Sequence, residues 1–380
     1  MTRRVGVGVV GCGHVSRQYL EGFETMSSLE VVGCFDVDRT QAQTRAAEFD
    51  IPYIYNHLEE LLADPAVEIV LNITPPLVHH EVSEAALGAG KHVFSEKPLA
   101  PTREQGRQLL QLAAANRVRL ACAPDTFLGS GLQTSRKLLD DGWIGAPVGA
   151  SAFFLSNGVE HFHPSPAFFY GRAGGPVLDV GPYYLTALIN LLGPVAQVAA
   201  VSRISFPERM ITSPDQYGSR IKVETPTYVS AVLEFESGII SPFLATFDVQ
   251  ATRLPFIEVY GTEGSLSTTD PDLWSGSPEI RRYGEEEEAM LDLERNVQWT
   301  PFRSSRPLAG MRGVGVHDLA RAIIDGRPHR VTAEVAYHVL DIALSIAEAA
   351  EAGVHVEVAS TCTRPAPLQS DVVPCQATGG

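Results

Sequence analysis

The chain lacks the marks of a metal centre, a disulfide scaffold or a membrane span. Its five cysteines, Cys12, Cys34, Cys122, Cys362 and Cys375, form no C-x-x-C pair and no cluster with metal-ligand spacing. No metal site is therefore expected. Cys12, Cys34 and Cys122 lie in apolar strands or turns and read as small core residues. No apolar run approaches the roughly 20 residues that cross a bilayer. The opening MTRR leads directly into a strand, without a signal peptide's long apolar segment, so a cytoplasmic location is expected. Basic residues are scarce, with 29 Lys and Arg against 45 Asp and Glu and a formal net charge of −16. A nucleic-acid partner needs a basic face, and this balance argues against one. Internal repeats are absent as well.

What remains is an ordinary globular composition, 44% apolar and 19% charged over 380 residues, long enough for two domains. The stretch Val5 to Asp38 organises the first of them. An apolar run is followed by Gly11, Gly13 and Ser16 in the three positions of a G-x-G-x-x-G pattern, then a helix from about His14. A second apolar run ends at Asp36. The first glycine permits a tight turn, the second lets backbone approach a pyrophosphate, and the third position needs a small side chain. The diphosphate would rest on the helix N-terminus near His14 and Val15. A strand before, a helix after and an acid about 20 residues on make this a dinucleotide fingerprint rather than a bare turn. Asp36 at a strand end accepts hydrogen bonds from ribose hydroxyls and repels a 2′-phosphate, which favours NAD over NADP. Arg39 works the other way, since an arginine there can hold a 2′-phosphate or stack on adenine. Asp38 returns the local charge toward NAD.

Strands and helices alternate from here, as in a doubly wound parallel sheet. Helices are expected near Thr40 to Glu48, His57 to Ala63, His79 to Ala89 and Thr102 to Asn116. Strands are expected at IPYIY, Val67 to Thr74, Lys91 to Ser95 and Arg119 to Cys122. The pattern changes near Pro124. A helix at Gly131 to Asp141 precedes strands at Pro147 to Ser156, Val195 to Phe206, Thr227 to Glu236, Gly238 to Gln250 and Phe256 to Tyr260. A helix at Pro182 to Leu192 interrupts them. Such segments indicate an α+β domain with a large open, mainly antiparallel sheet. An open sheet in a chain of this size is expected to lie against another subunit, giving a homo-oligomer, dimer or tetramer. Helices at His317 to Asp325 and Ala333 to Glu351 close the fold. The expected division is 1–123, 124–360 and a disordered polar tail at 361–380, rich in Pro and Gly. The acid run Glu285 to Glu288 reads as a solvated face.

Five segments then fall in one order: Gly11-Cys12-Gly13-His14-Val15-Ser16, Thr74-Pro75-Pro76-Leu77-Val78-His79, Ala89-Gly90-Lys91-His92-Val93, Glu96-Lys97-Pro98 and Gly174 to Tyr183 (GGPVLDVGPY). In this the chain resembles the glucose–fructose oxidoreductase/inositol dehydrogenase family, the Gfo/Idh/MocA group, to about residue 355. The resemblance implies an N-terminal Rossmann NAD(P) domain and a C-terminal domain with a large sheet. It also implies a sugar or cyclitol substrate. Gly11, Gly13, His14, Val15, Asp36, Arg39, Thr74, Pro75, His79, Glu96 and Lys97 are then the expected cofactor-binding residues.

The implied chemistry moves a hydride and a hydroxyl proton and stabilises a developing alkoxide. Lys97 suits the last task, its ammonium hydrogen-bonding the reacting oxygen, with Glu96 and Pro98 fixing its direction. Asp179 and Tyr183, four residues apart, can share one helix face and are the expected proton-transfer pair. Tyr183 stands where the family most often has histidine, although tyrosine there resembles the glucose–fructose oxidoreductase branch. A phenol ordinarily titrates near ~10 and needs acidification, by Lys97 or by the positive nicotinamide ring. A nearby histidine is the alternative acid/base.

Substrate contacts are expected from Asp125, His161, His163, Arg172 and Tyr184. On an extended loop His161 and His163 would point the same way, and Pro164 biases His163 to extended geometry. Thr126, and Arg172, Arg303 and Arg306 as anion grips, are further candidates. Phe168, Phe169 and Tyr170 read either as a sugar-stacking platform or as core. Three functions compete: an NAD-dependent sugar or cyclitol dehydrogenase, a glycoside hydrolase that oxidises its substrate transiently and restores NAD each turnover, and a non-catalytic NAD sensor. Intact Lys97 and Asp179 weigh against the sensor.

Overall fold

A computed structural model of the chain describes residues 3–172, 174–282, 299–304, 311–368 and 372–374. The acid run at 285–288, Arg306 and the parts of the tail at 369–371 and 375–380 lie outside these. The chain divides into two compact units, Met1–Asp125 with Ala309–Leu340, and Thr126–Leu308 with Asp341–Gly380. The returning segment 309–340 thus joins the first unit, whereas the sequence pattern assigned it to the second domain.

In the first unit β1 (Val5–Val10), α1 (His14–Phe23), β2 (Leu29–Phe35), α2 (Arg39–Glu48) and α3 (Leu58–Ala63) are followed by β3 (Ile69–Asn72) and α4 (His79–Gly88). β4 (His92–Ser95), α5 (Arg103–Asn116) and β5 (Leu120–Cys122) complete the alternation. The five strands pair in parallel in the order β2-β1-β3-β4-β5. Every residue of β1 and β3 is buried, as a parallel sheet covered on both faces requires. The IPYIY segment is not a full strand. Only Ile54 bridges to Cys34, beside β2, because Pro52 removes a donor from the ladder.

The second unit opens with α6 (Ser130–Asp140), β6 (Pro147–Leu155), α7 (Ala167–Tyr170), α8 (Pro176–Asp179), α9 (Gly181–Leu192) and β7 (Val195–Arg203). A hairpin of β8 (Glu208–Met210) and β9 (Arg220–Lys222) precedes β10 (Tyr228–Phe235), β11 (Ile240–Thr246), β12 (Ile257–Gly261), β13 (Gly264–Ser267), β14 (Glu279–Arg282) and β15 (Thr300–Ser304). α10 (Val314–Asp325) belongs to the first unit, and α11 (Ala333–Ala352) is divided between the two. β16 (Val356–Glu357) and β17 (Val372–Pro374) end the chain's described structure. Ten strands form one sheet, β16-β7-β10-β11-β6-β12-β13-β14-β15-β17. Among the described residues of this sheet, β11 and β6 are the one parallel pair. Along β10 exposed and buried residues alternate, the mark of a sheet covered on one face.

The tail is ordered where it is described, contrary to its composition. Arg364 Nε donates to the Asn190 carbonyl (2.8 Å), Leu368 N donates to Gln133 Oε1 (2.7 Å), and β17 pairs with β15. Buried Arg136 donates in turn to the Pro365 carbonyl at 2.9 Å. Specific polar contacts hold a segment too poor in apolar residues to order itself.

Candidate active site

The turn after β1 is built for close approach. Gly11 has φ 98°, and a Cβ there would lie 2.7 Å from the Ile73 carbonyl oxygen. At Gly13 the nearest atom to such a Cβ is Gln41 Oε1 at 3.9 Å, so this stretch of backbone is open. Ser16 is buried and its Oγ donates to the Gly13 carbonyl at 2.7 Å. α1 begins with no side-chain cap and no acid in its first turn, leaving its N-terminal amides to an anion. His14 is exposed and Val15 half-buried there. Asp36 accepts from Cys12 N (2.7 Å) and Asp38 N (2.8 Å), which aims a half-exposed carboxylate beside the loop. Asp38 caps α2 by accepting from Thr40 N at 2.9 Å, and exposed Arg39 donates to Asn56 Oδ1 at 2.5 Å. Arg45, unnoticed in the sequence, brings its Nη2 to the Gly13 carbonyl at 3.2 Å. These residues fit a dinucleotide: a bare helix terminus and open glycine for the diphosphate, and a fixed acid for the ribose.

The turns after β3 and β4 are tied together. Buried Asn72 donates from Nδ2 to the His79 carbonyl (2.9 Å) and Ser83 Oγ (3.0 Å), and its Oδ1 accepts from Thr74 Oγ1 at 2.7 Å. Its own carbonyl accepts from Glu96 N at 2.8 Å. An asparagine ending an apolar strand was the available signal. His79 is buried, its ring nitrogens 2.8 Å from the Pro98 carbonyl and 2.7 Å from that of Thr74. Burial holds this imidazole below its ordinary pKa of 6.5 despite the two carbonyls. His79 therefore braces the two turns with its ring, while Thr74 is half-buried and Pro75 exposed.

Glu96 is buried and engaged on both oxygens. Oε1 accepts from Tyr19 Oη (2.9 Å) and from Arg312, and Oε2 accepts from Lys97 N at 3.0 Å. Burial pushes its pKa up, but Arg312, Lys97 and the hydrogen bonds hold it below the ordinary value. Glu96 thus acts within this network, as a support for half-buried Lys97. Asp125 is also structural in its contacts. Its buried Oδ2 accepts from Gly313 N (3.1 Å) and Gly315 N (2.9 Å), at the start of α10.

In the second unit Asp179 and Tyr183 occupy consecutive helices. Asp179 ends α8, and Tyr183 N donates to the Val180 carbonyl at 3.0 Å in the first turn of α9. Pro182 has no N–H to continue one helix through this point. Tyr183 is 7% exposed and Tyr184 only 1%. Burial first, then Asp270 and Asp272, push the Tyr184 phenol well above 10, and its ring packs edge-on against Phe154. The His161 loop is a turn rather than extended: His163 N donates to the Val159 carbonyl at 2.9 Å. His161 lies against Phe162, whereas His163 lies against Phe169 and its Nδ1 accepts from Ser165 N at 3.0 Å. Alternation therefore does not aim the two histidines together. Tyr170 is core, its phenol donating to buried Glu160. Thr126 is buried; Phe168, Arg172 and Arg303 are exposed.

Residues 5–123 match the model of the Gfo/Idh/MocA oxidoreductase family, NAD-binding Rossmann fold, and residues 132–267 match that of the family's C-terminal domain. The chain belongs to the Gfo/Idh/MocA family. Its first unit carries the NAD-binding Rossmann domain, and the protein is an NAD-binding oxidoreductase by family. Among Gfo/Idh/MocA relatives, 1,5-anhydro-D-fructose reductase of Ensifer adhaerens is 28% identical over 260 residues, 68% of this chain and 74% of its own. A dTDP-3,4-didehydro-2,6-dideoxy-alpha-D-glucose 3-reductase of Saccharopolyspora spinosa is 28% identical over 330 residues, 85% of this chain and 92% of its own. Levoglucosan dehydrogenase, solved with NADH and L-sorbose, has the same fold, with a TM-score of 0.81 at 19% identity over 94% of this chain and all of that one. Among the described residues no helix is long and apolar enough to cross a membrane.

Proposed function

We propose that the protein is an NAD-dependent dehydrogenase or reductase of a sugar or cyclitol, interconverting a carbinol and a ketone. The observation that carries this is Lys97, on a turn braced by Glu96, Asn72 and His79 in a chain whose relatives include a 1,5-anhydro-D-fructose reductase and a dTDP-3,4-didehydro-2,6-dideoxy-alpha-D-glucose 3-reductase. NAD, when bound, supplies the hydride acceptor, or as NADH the donor. Gly11, Gly13 and the amides of α1 at His14 and Val15 would hold its diphosphate, and Asp36 its adenosine ribose. Thr74 and Pro75 would flank it. The carboxylate of Asp36, with Asp38 engaged in capping, supports NAD over NADP.

Lys97 donates to the reacting oxygen, favouring the alkoxide during oxidation and polarising the carbonyl during reduction. Tyr183 takes the hydroxyl proton and returns it, with Asp179 orienting it. The hydrolase reading would need an extra acid/base from His161, His163 or Tyr184, and of these Tyr184 is buried with its phenol held protonated. A homo-oligomer is proposed from the open face of the second unit's sheet. Val201, Val232 and Ile240 expose apolar side chains on adjacent strands there, Val201 at 69% and Ile240 at 55%. A second copy of the same face would cover them, and sedimentation of Val232→Asp against the parent checks this.

The functional test mixes the protein with NAD and a panel of free sugars, cyclitols and glycosides, following absorbance at 340 nm together with aglycone release. Sustained NADH formation that disappears in Lys97→Ala, with NADH binding kept, is the expected result. Aglycone release without net NADH would replace this reading with the hydrolase. An unreactive panel with tight NADH binding would leave a sensor.

A further inference from the structure

The returning segment before α10 places a guanidinium beside the motif that carries Lys97. Arg312 donates to Glu96 Oε1, the same oxygen that accepts from Tyr19 Oη at 2.9 Å, while Glu96 Oε2 accepts from Lys97 N at 3.0 Å. The Arg312 and Glu96 side chains are 15% and 11% exposed, and the guanidinium also lies 5.6 Å from the centroid of the Tyr19 ring. The segment is fixed from both sides. Asp125 accepts from Gly313 N and Gly315 N, and a Cβ on Gly22 of α1 would collide with the Arg312 carbonyl oxygen. A buried carboxylate this close to a lysine backbone, neutralised by an arginine from a remote part of the chain, does more than fill space. Stability alone is served as well by apolar side chains of similar volume.

We propose that Arg312 is a positioning residue for Lys97: through the Glu96 carboxylate, which accepts from Lys97 N, it holds the lysine's backbone and sets the local charge around its side chain. Glu96 carries one negative charge, and two cations draw on it. Arg312 takes up much of that charge, so the Lys97 ammonium feels less of it than an unneutralised Glu96 would impose. The inference rests on Lys97 serving at the reacting oxygen, but its test needs no substrate.

The groups facing Glu96 are Tyr19, Lys97, Arg312, Asp125, His79 and Cys122. At the alkaline pH where lysines titrate, Glu96 is ionised and His79 is neutral, both being held below their ordinary values. Burial holds the Tyr19 phenol and the Cys122 thiol protonated. The Lys97 side-chain signal therefore reports charge changes made at Glu96 and Arg312. The chain has four lysines, Lys91, Lys97, Lys137 and Lys222, so 13C-lysine labelling of the full chain gives four side-chain signals, and Lys97→Ala assigns one of them. In Arg312→Met the titration midpoint of Lys97 should rise by about one pH unit, because a competing cation is gone. In Glu96→Gln it should fall by about the same amount, because the counter-charge is gone and Arg312 remains. Arg312→Lys should restore the parent midpoint. NADH affinity should hold within about twofold throughout. A Lys97 midpoint that is the same in the parent and in either charge-removing variant, whichever folds, overturns the proposal and leaves Arg312 a purely structural brace. If Lys97 shifts as stated but no sugar is turned over, the device stands and the functional reading fails.

Discussion

The side-chain amide of Asn72 donates to the backbone carbonyl of His79 across seven residues, at 2.9 Å. One side chain thereby closes the loop that carries Thr74 and Pro75. The same residue's carbonyl receives Glu96 N, so the turns after β3 and β4 share a hinge pin.

Asn72→Ala removes these side-chain bonds and leaves the His79 carbonyl and Ser83 hydroxyl short of a buried partner. The expected loss is about 2 kcal/mol of stability, read as a lower urea midpoint. NADH affinity should fall with it, measured by fluorescence titration. Unchanged values for both would show that the loop is held by other means.

Tyr183→Phe keeps the ring and removes the proposed proton carrier, so kcat should fall by about 10²- to 10⁴-fold with NADH affinity intact. Tyr184→Phe should change kcat only a few-fold, because its phenol is buried and held protonated. Equal losses in the two variants would count against Tyr183 as the acid/base.

Asp36→Ser removes the charge beside the glycine loop and the two carboxylate oxygens that accept from Cys12 N and Asp38 N. NADH binding should weaken and NADPH binding strengthen, moving the ratio of their Kd values at least about tenfold, or ~1.4 kcal/mol. A ratio that stays put would transfer the discrimination to Arg39 or Arg45.

Acid should unfold the first unit early. His79, His92, His317 and His329 are all held below the ordinary 6.5, burial being the largest cause for each. The unfolded chain therefore binds more protons than the folded one as pH drops below about 6.5. The stability these groups provide is fully present above 6.5 and declines below it. Glu96, also lowered, adds a loss at lower pH as its carboxylate protonates. Urea midpoints from pH 8 to pH 5 should fall; a flat profile would contradict the neutral burial of these rings.

By itself the sequence determined the Rossmann half, because its signals are local. Gly11 must adopt φ 98° and its turn is marked by glycine; the buried strands are marked by unbroken apolar runs. The order of the motifs determined the family, and the alternation along β10 determined the open sheet. What the tertiary structure alone decided is how polar groups far apart in the chain are paired. Asp125, expected from the sequence as a substrate contact, receives two amides of the 313–315 segment. His79 looked like a ligand contact and its ring braces two carbonyls. The tail looked disordered, yet Arg364 and Leu368 bind groups more than 170 residues away in the chain. Composition and periodicity report what a segment can bury. They carry no information on which buried charge meets which, and for Glu96 that partner, Arg312, comes 216 residues later.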